Sequence, residues 1–309
     1  MGFLFKLTLA GLCFFNAGCE IGNPHAPLDF DTNEPEPVPA AQPEAQPDSI
    51  VSLVYFWQQN VHFKNTIAGR IPPPVGFSRL ETEKGSFAEW LRHLPLKPPD
   101  VKVYLYNGEL KTNQSAHHSV IDMDTGNKDL QQCADAIMRL RAEYFYGIEA
   151  FSKIHFNYTS GHKVAFEDWM VGRKPKVSGN NVNFTTASEN TDNSYANFRK
   201  YMEAIFSYAG TASLSKEMKN VRVDDLKIGD VFIQGGFPGH AVIVVDMAEN
   251  NSGEKCFLLA QSFMPAQEMH ILNNFNDEVS SPWYSIDFGE TLYTPEWTFS
   301  KNDLKRFVH

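Results

Sequence analysis

Cysteine is scarce in this chain, four in 309 residues, which excludes a disulfide framework as the source of its stability. Cys13 and Cys19 lie near the N-terminus, so only Cys133 and Cys256 remain for a folded domain. A bond between those two competes with any chemical role for Cys133. Positive charge is also in deficit, 27 Lys and Arg against 37 Asp and Glu, for a formal net charge of -10. No basic stripe stands ready to neutralise a row of phosphates, so nucleic acid is not an expected partner. Internal repeats, a phosphate loop and a Gly-x-Ser-x-Gly elbow are missing as well. Their absence leaves no repeat architecture, no nucleotide fold and no serine-hydrolase elbow to argue for, and no cofactor is expected.

What is present begins at the N-terminus, with one Lys, an apolar run from Leu7 to Phe15, and then Asn16-Ala17-Gly18-Cys19. The run is too short for a membrane span, which needs ~20 apolar residues, and reads as a secretory signal. Residues 1–18 are assigned to it. Small residues before a cysteine match a bacterial lipobox, in which Cys19 is acylated and opens the mature protein. Asn16 stands where that motif usually has Leu, and the alternative is an ordinary signal cleaved near Ala17 or Gly18. Residues 19–49 follow as an acidic, Pro-rich tether (NEPEPVPAAQPEAQPD) that cannot bury a core. The expectation is a protein of the bacterial cell envelope, tied to a membrane through an N-terminal lipid.

From residue 50 to 309 no second low-complexity linker interrupts the chain, so a single α+β domain is expected. Ile50 to Trp57 is a short apolar stretch, an early strand or helix. Ser86 opens a capping box with Glu89, and Phe87, Trp90, Leu91 and Leu94 follow at helical spacing until Pro95. Val101 to Tyr106 and Glu109 to Lys111 flank Asn107-Gly108, a hairpin signal. A strand over Ser119 to Met123 comes next. Asp129 then caps a helix in which Cys133, Ile137, Leu140 and Tyr144 share one face. Asp168 to Asn193 reads as a long exposed excursion, and Tyr195 to Tyr208 as a helix. Beyond that the pattern turns to strands at Val231–Gln234, Ala241–Asp246 and Phe257–Ser262.

Two features carry chemistry. Cys133 sits in the first turn of its helix, where free N–H groups and the positive dipole end favour a thiolate and supply donors for an oxyanion. His240 opens a strand after the glycine-rich Gly235-Gly236-Phe237-Pro238-Gly239, placed to face that helix start. Gln261 on the following strand is the candidate to orient the imidazole, with Gln267 and His270 behind it. Gln131 or Gln132 would support an oxyanion or substrate. Each residue also has a plain structural reading: Cys133 as a small core hydrophobe, His240 as a histidine bonded to backbone. His117 and His118 with Asp122 and Asp124 are residue types that can ligate a metal, but adjacent histidines in a strand point to opposite faces, so no metal is assigned. Trp283, Tyr284, Trp297 and Phe299 either line a groove or fill core.

The segment LKIGDVFIQGG...GHAVIVVD resembles the NlpC-type and CHAP-type envelope peptidases, in which a Gly-Asp-hydrophobic strand precedes the histidine strand. That resemblance implies a papain-like fold, a cysteine-bearing helix start packed on an antiparallel sheet. It further implies Cys133 as nucleophile, His240 as general base and Gln261 as the orienting group of a thiol hydrolase, with cell-wall (peptidoglycan) peptide as the default substrate. Two positions depart from those families: Ala134-Asp135 follows the cysteine where a small Ser or Gly is usual, and Gln is not their commonest third residue. Over a longer span, roughly Ala68 to Phe307, the motifs IPPPVGFSRL, SFAEWLRHLPLKP, DLQQCADAIMRLRAEY, FSYAGTASL, LLAQSFMPAQEMHIL and TPEWTF are similar to a bacterial envelope family catalogued only as a domain of unknown function. Two rival functions stay open: a non-catalytic binding or scaffold lipoprotein, and a metal-dependent hydrolase around His117, His118 and His240.

Overall fold

The computed structural model describes residues 52–188 and 190–308. Cys13, Cys19, the signal and the tether lie outside them. The described chain is a mixed α+β fold with antiparallel sheets. Its helices are α1 (Ile67–Arg70), α2 (Phe87–Arg92), α3 (Cys133–Gly147), α4 (Phe166–Met170), α5 (Tyr195–Tyr208) and α6 (Thr211–Glu217). Helices dominate the first part and strands the second.

The main sheet is built from β1 (Phe77–Arg79), β2 (His117–Val120), β7 (Met218–Asn220), β8 (Val231–Gln234), β9 (His240–Asn250), β10 (Lys255–Gln261), β11 (His270–Leu272), β12 (Tyr284–Ser285) and β15 (Leu304–Phe307). Its order is β2-β11-β10-β9-β8-β15-β7, with β1 added to β9 and β12 to β10. Three separate hairpins complete the strands: β3 (His155–Asn157) with β4 (Lys163–Ala165), β5 (Pro175–Ser178) with β6 (Asn181–Phe184), and β13 (Thr291–Tyr293) with β14 (Thr298–Ser300).

Strand β9 explains the architecture. Its run HAVIVVDMA is buried throughout, because the sheet is covered on both faces. Ala241, Ile243 and Val245 pack in a core with Ile137 and Leu140 of α3, while Val242 and Val244 pack with Phe232, Phe257 and Phe299 on the other side. Each fully buried aliphatic side chain contributes roughly 1.5–3 kcal/mol, so this one strand anchors both layers. Within the run stands Asp246, buried but held by Arg79 at 2.7 Å and Arg92 at 2.6 Å. A lone carboxylate there would be costly, and the paired guanidinium groups make it tolerable.

Local chemistry fixes the helices. Ser86 Oγ accepts from the Glu89 N–H at 3.2 Å and starts α2 as its capping pattern predicts. Ser194 Oγ accepts from the Asn197 N–H at 3.3 Å, and Phe198, Tyr201, Met202, Ile205 and Phe206 form the buried face of α5, over the span read from the sequence. Helix α3 differs at its start. Gln132, not Asp129, is the N-cap residue, and its N–H donates to the Asp135 carboxylate at 3.1 Å. Asp129 is drawn instead to the Ala266 N–H at 2.6 Å and the Gln132 side chain at 3.0 Å. Cys133 is therefore the first residue of the helix.

Other expectations need correction. Val101 to Lys111 turns at Gly108, but Tyr104 and Leu110 meet only as an isolated bridge, since Leu105 is drawn to Gln267 of another segment. The strand expected over 119–123 runs His117–Val120. Residues 168–193 include the β5–β6 hairpin. Residues 52–57 form neither helix nor strand, although Tyr55 is buried and its hydroxyl donates to the Trp90 carbonyl at 2.8 Å.

Candidate functional site

The start of α3 and the start of β9 meet. The backbone N–H groups of Ala134, of Cys133 itself and of Ala241, the residue after His240, are directed at the Cys133 sulfur. They favour the thiolate, but burial acts more strongly, and with the neighbouring Asp135 charge it pushes the thiol up to about 11. Burial likewise raises the Asp135 carboxyl well above its usual range. At neutral pH Cys133 rests as a thiol. Cys133 and Cys256 are both free and buried, so the competing disulfide is not formed.

A cavity of about 500 Å³ opens over this junction. Cys133, Gln132, Thr211, Gly239, Phe237 and Met264 are among the residues on its wall. Gly239 is required by close approach: a Cβ there would lie 2.4 Å from Thr211 Oγ1 and 2.6 Å from the Gly236 carbonyl oxygen. The glycine-rich turn thus fits against the start of α6, and β9 begins immediately after it.

His240 is fully buried, its ring centroid 4.7 Å from that of Phe263, 5.3 Å from Trp297 and 6.0 Å from Phe299. Nε2 donates to Gln261 Oε1 at 2.8 Å. Burial pushes the imidazole down to about 4, with the Gln261 bond opposing it. Nδ1 has no hydrogen-bond partner. Cys133 lies against the backbone of Ala241, the residue after His240, yet no hydrogen bond joins Cys133 to His240, and His240 does not itself line the cavity. The structure therefore brings His240 and Gln261 together as a bonded pair and sets Cys133 beside the next residue of the same strand.

The remaining candidates divide. Gln132 is at the cavity wall, its side chain amide on Asp129. Gln131 is committed elsewhere: it is buried, its Oε1 accepts from Arg139 Nη1 at 2.6 Å, and its carbonyl accepts from Ser262 Oγ. It does not face the cavity, because the buried Arg139 guanidinium needs its oxygen more. His270 stands behind Gln261, its Nε2 3.3 Å from Gln261 Nε2, whereas the Gln267 carbonyl accepts from Ser262 Oγ. His117 Nε2 meets the Val101 carbonyl and His118 Nδ1 meets Ser119 Oγ, while Asp124 pairs with Arg139 and Arg199. Among the described residues no three His, Cys, Asp or Glu side chains are grouped to hold a metal ion. Trp283, Tyr284 and Phe299 are core, and Trp297 bridges core to the site through its Nε1 bond to Gln234 Oε1 at 3.0 Å.

Sequence reasoning missed Glu296 and Lys111. Glu296 Oε2 accepts from Gln261 Nε2 at 2.7 Å, and its other oxygen is bonded by Lys111 Nζ and by Asn113 Nδ2. Glu296 lies in the motif TPEWTF, but nothing in that pattern separates it from a surface acid.

The described chain is a mixed α+β domain in which Cys133, the first residue of α3, lies on a cavity wall beside the start of β9, and His240 and Gln261 form a bonded pair. The sequence model of domain of unknown function 4846 matches residues 67–306, and the chain belongs to that family. No curated protein and no solved structure matches the chain.

Proposed function

We propose that this chain is a lipid-anchored envelope protein with a papain-like domain that hydrolyses or transfers an amide bond of cell-wall peptide. Cys133 is the nucleophile, His240 the general base and Gln261 the group that orients it. One juxtaposition carries the reading: a cysteine at the first position of α3, on a cavity wall, touching the backbone of the strand whose first residue is an amide-held histidine with an unpartnered Nδ1. The sulfur attacks the amide carbonyl as its proton passes to Nδ1, and the helix-start N–H groups and Gln132 receive the developing oxyanion. The C–N bond breaks, the amine leaves with that proton, and water or an acceptor amine releases the acyl group from sulfur. Because the thiol and imidazole both rest neutral, proton transfer belongs to the encounter with substrate rather than to a preformed ion pair.

The anchor reading rests on Ala17-Gly18-Cys19 and the acidic tether that follows. The test is release of peptide fragments from purified peptidoglycan by the intact chain and by Cys133→Ala. Fragment release that depends on Cys133 supports the proposal.

A second reading, a non-catalytic binding lipoprotein, has one observation in its favour. His240 is fully buried and carries no hydrogen bond to Cys133. It expects Cys133→Ala to retain binding of cell-wall peptide and the intact chain to release nothing.

A further inference from the structure

The two ends of an amide side chain are not alike: Oε1 only accepts and Nε2 only donates. Gln261 Nε2 lies 2.7 Å from Glu296 Oε2 and 3.3 Å from His270 Nε2, so both of its N–H bonds are occupied. An ionised carboxylate cannot donate. Turned over, Gln261 would set its own oxygen against the Glu296 oxygen, two acceptors face to face. Glu296 therefore holds the amide with Oε1 toward His240, at 2.8 Å.

The consequence falls on the imidazole. With an acceptor at Nε2, the neutral His240 ring carries its proton there and leaves its lone pair on Nδ1, the nitrogen with no partner. His270 agrees with this arrangement, since its Nε2 accepts from the same amide and its Nδ1 donates to the Glu268 carbonyl at 2.9 Å. Lys111, almost fully buried, contacts the far oxygen of Glu296 and also donates to the Asn113 carbonyl at 2.9 Å. Lys111 and Glu296 form an ion pair at the edge of this network, and a carboxylate so paired offers Gln261 an acceptor only.

We infer that Glu296, held by Lys111, is a positioning residue that selects the His240 tautomer with its lone pair on Nδ1. It acts through Gln261 and touches neither the sulfur nor a bound peptide. The purpose of the device rests on the hydrolase reading, but the tautomer itself is measurable without turnover.

The experiment is long-range proton–nitrogen correlation NMR on the whole chain labelled with nitrogen-15 histidine, with His240 assigned by loss of its signals in His240→Gln. The intact protein is expected to show a protonated Nε2 and a bare Nδ1. Glu296→Gln leaves Lys111 as an uncompensated buried charge, so Lys111→Met/Glu296→Gln is measured beside it. In the double variant only the longer 3.3 Å contact with His270 still holds the Gln261 amide, so it can turn over. His240 is then expected to become a mixture of tautomers, and Cys133 alkylation to slow by about tenfold, the scale of losing an outer partner that orients a working histidine. Glu296→Asp, which keeps the charge, is expected to restore the Nε2–H form. A proton found on Nδ1 in the intact protein, or an unchanged pattern in the double variant, overturns the inference. A shifted tautomer together with no peptide release by any form supports it, and the hydrolase reading then falls alone.

Discussion

His240 Nε2 and Gln261 Oε1 stand 2.8 Å apart on the neighbouring strands β9 and β10, joining residues 21 positions apart into one buried unit. The unit leaves one imidazole nitrogen unpartnered beside the strand backbone that touches Cys133. Everything expected of the site follows from that bond and from how the cysteine is presented.

Cys133→Ala should abolish peptide release while the unfolding free energy changes by about 1 kcal/mol or less, because a buried thiol behaves as a small hydrophobe and little volume is lost. Cys256→Ala is the control. Cys256 is buried in β10, with its thiol pushed up to about 12 by burial and then by the Asp246 charge, and its loss should leave activity intact. Paired activity and urea-unfolding assays decide the matter.

Gly239→Ala should be far more damaging than its size suggests. Its new Cβ meets the Gly236 and Gln234 carbonyl oxygens as well as Thr211 Oγ1, so the turn before His240 must move. A loss of about 1–3 kcal/mol is expected from overpacking, with release activity falling in step. Unchanged stability would mean that the turn is not held against α6.

The two glutamines at the start of α3 should separate cleanly. Gln131→Ala removes one acceptor from the buried Arg139 guanidinium, which keeps its Asp124 and Glu143 partners, costing about 1–3 kcal/mol in urea unfolding. Gln132→Ala should cost about 0.5–1 kcal/mol, the scale of losing an N-cap side chain whose amide also bonds exposed Asp129, and should lower kcat if it supports the oxyanion.

Acid should weaken the fold through its buried imidazoles. Burial lowers His240 from its ordinary 6.5 to about 4 and His270 from 6.5 to about 3. Between those values the unfolded chain binds protons that the folded chain refuses, so stability is complete above pH 6.5 and is lost as pH falls toward 4. By pH 4 the loss is roughly 3 kcal/mol for each histidine. His270→Gln removes one of these protons. The drop in urea midpoint from pH 7 to about 4 should therefore be clearly smaller in that variant than in the parent.

Much of this was legible in the sequence, and the exceptions have a common cause. Helix α5 and strand β8 run as their periodicity indicates, because each is decided by its own apolar pattern. The pairing of His240 with Gln261, on neighbouring strands, is the one that chain order suggests. Asp129 was misread because its pull comes from Ala266, far along the chain, and a capping pattern carries no sign of such a competitor. Gln131 was misread because Arg139, two turns further along α3, claims its oxygen. Glu296 was invisible because its partners Lys111 and Gln261 come from distant segments that only folding brings together.

The most direct test of the central claim is the rate of Cys133 alkylation by iodoacetamide across pH, in the parent and in His240→Ala. An unaided thiol with its pKa near 11 reacts in proportion to a thiolate fraction that is negligible at neutral pH. With His240 acting as base, the parent should show a plateau that fades below about pH 4, where the imidazole is protonated, and a second rise toward pH 11. His240→Ala should keep only the second rise. Superimposable profiles would contradict the account, leaving Cys133 a buried thiol on the wall of a binding cavity.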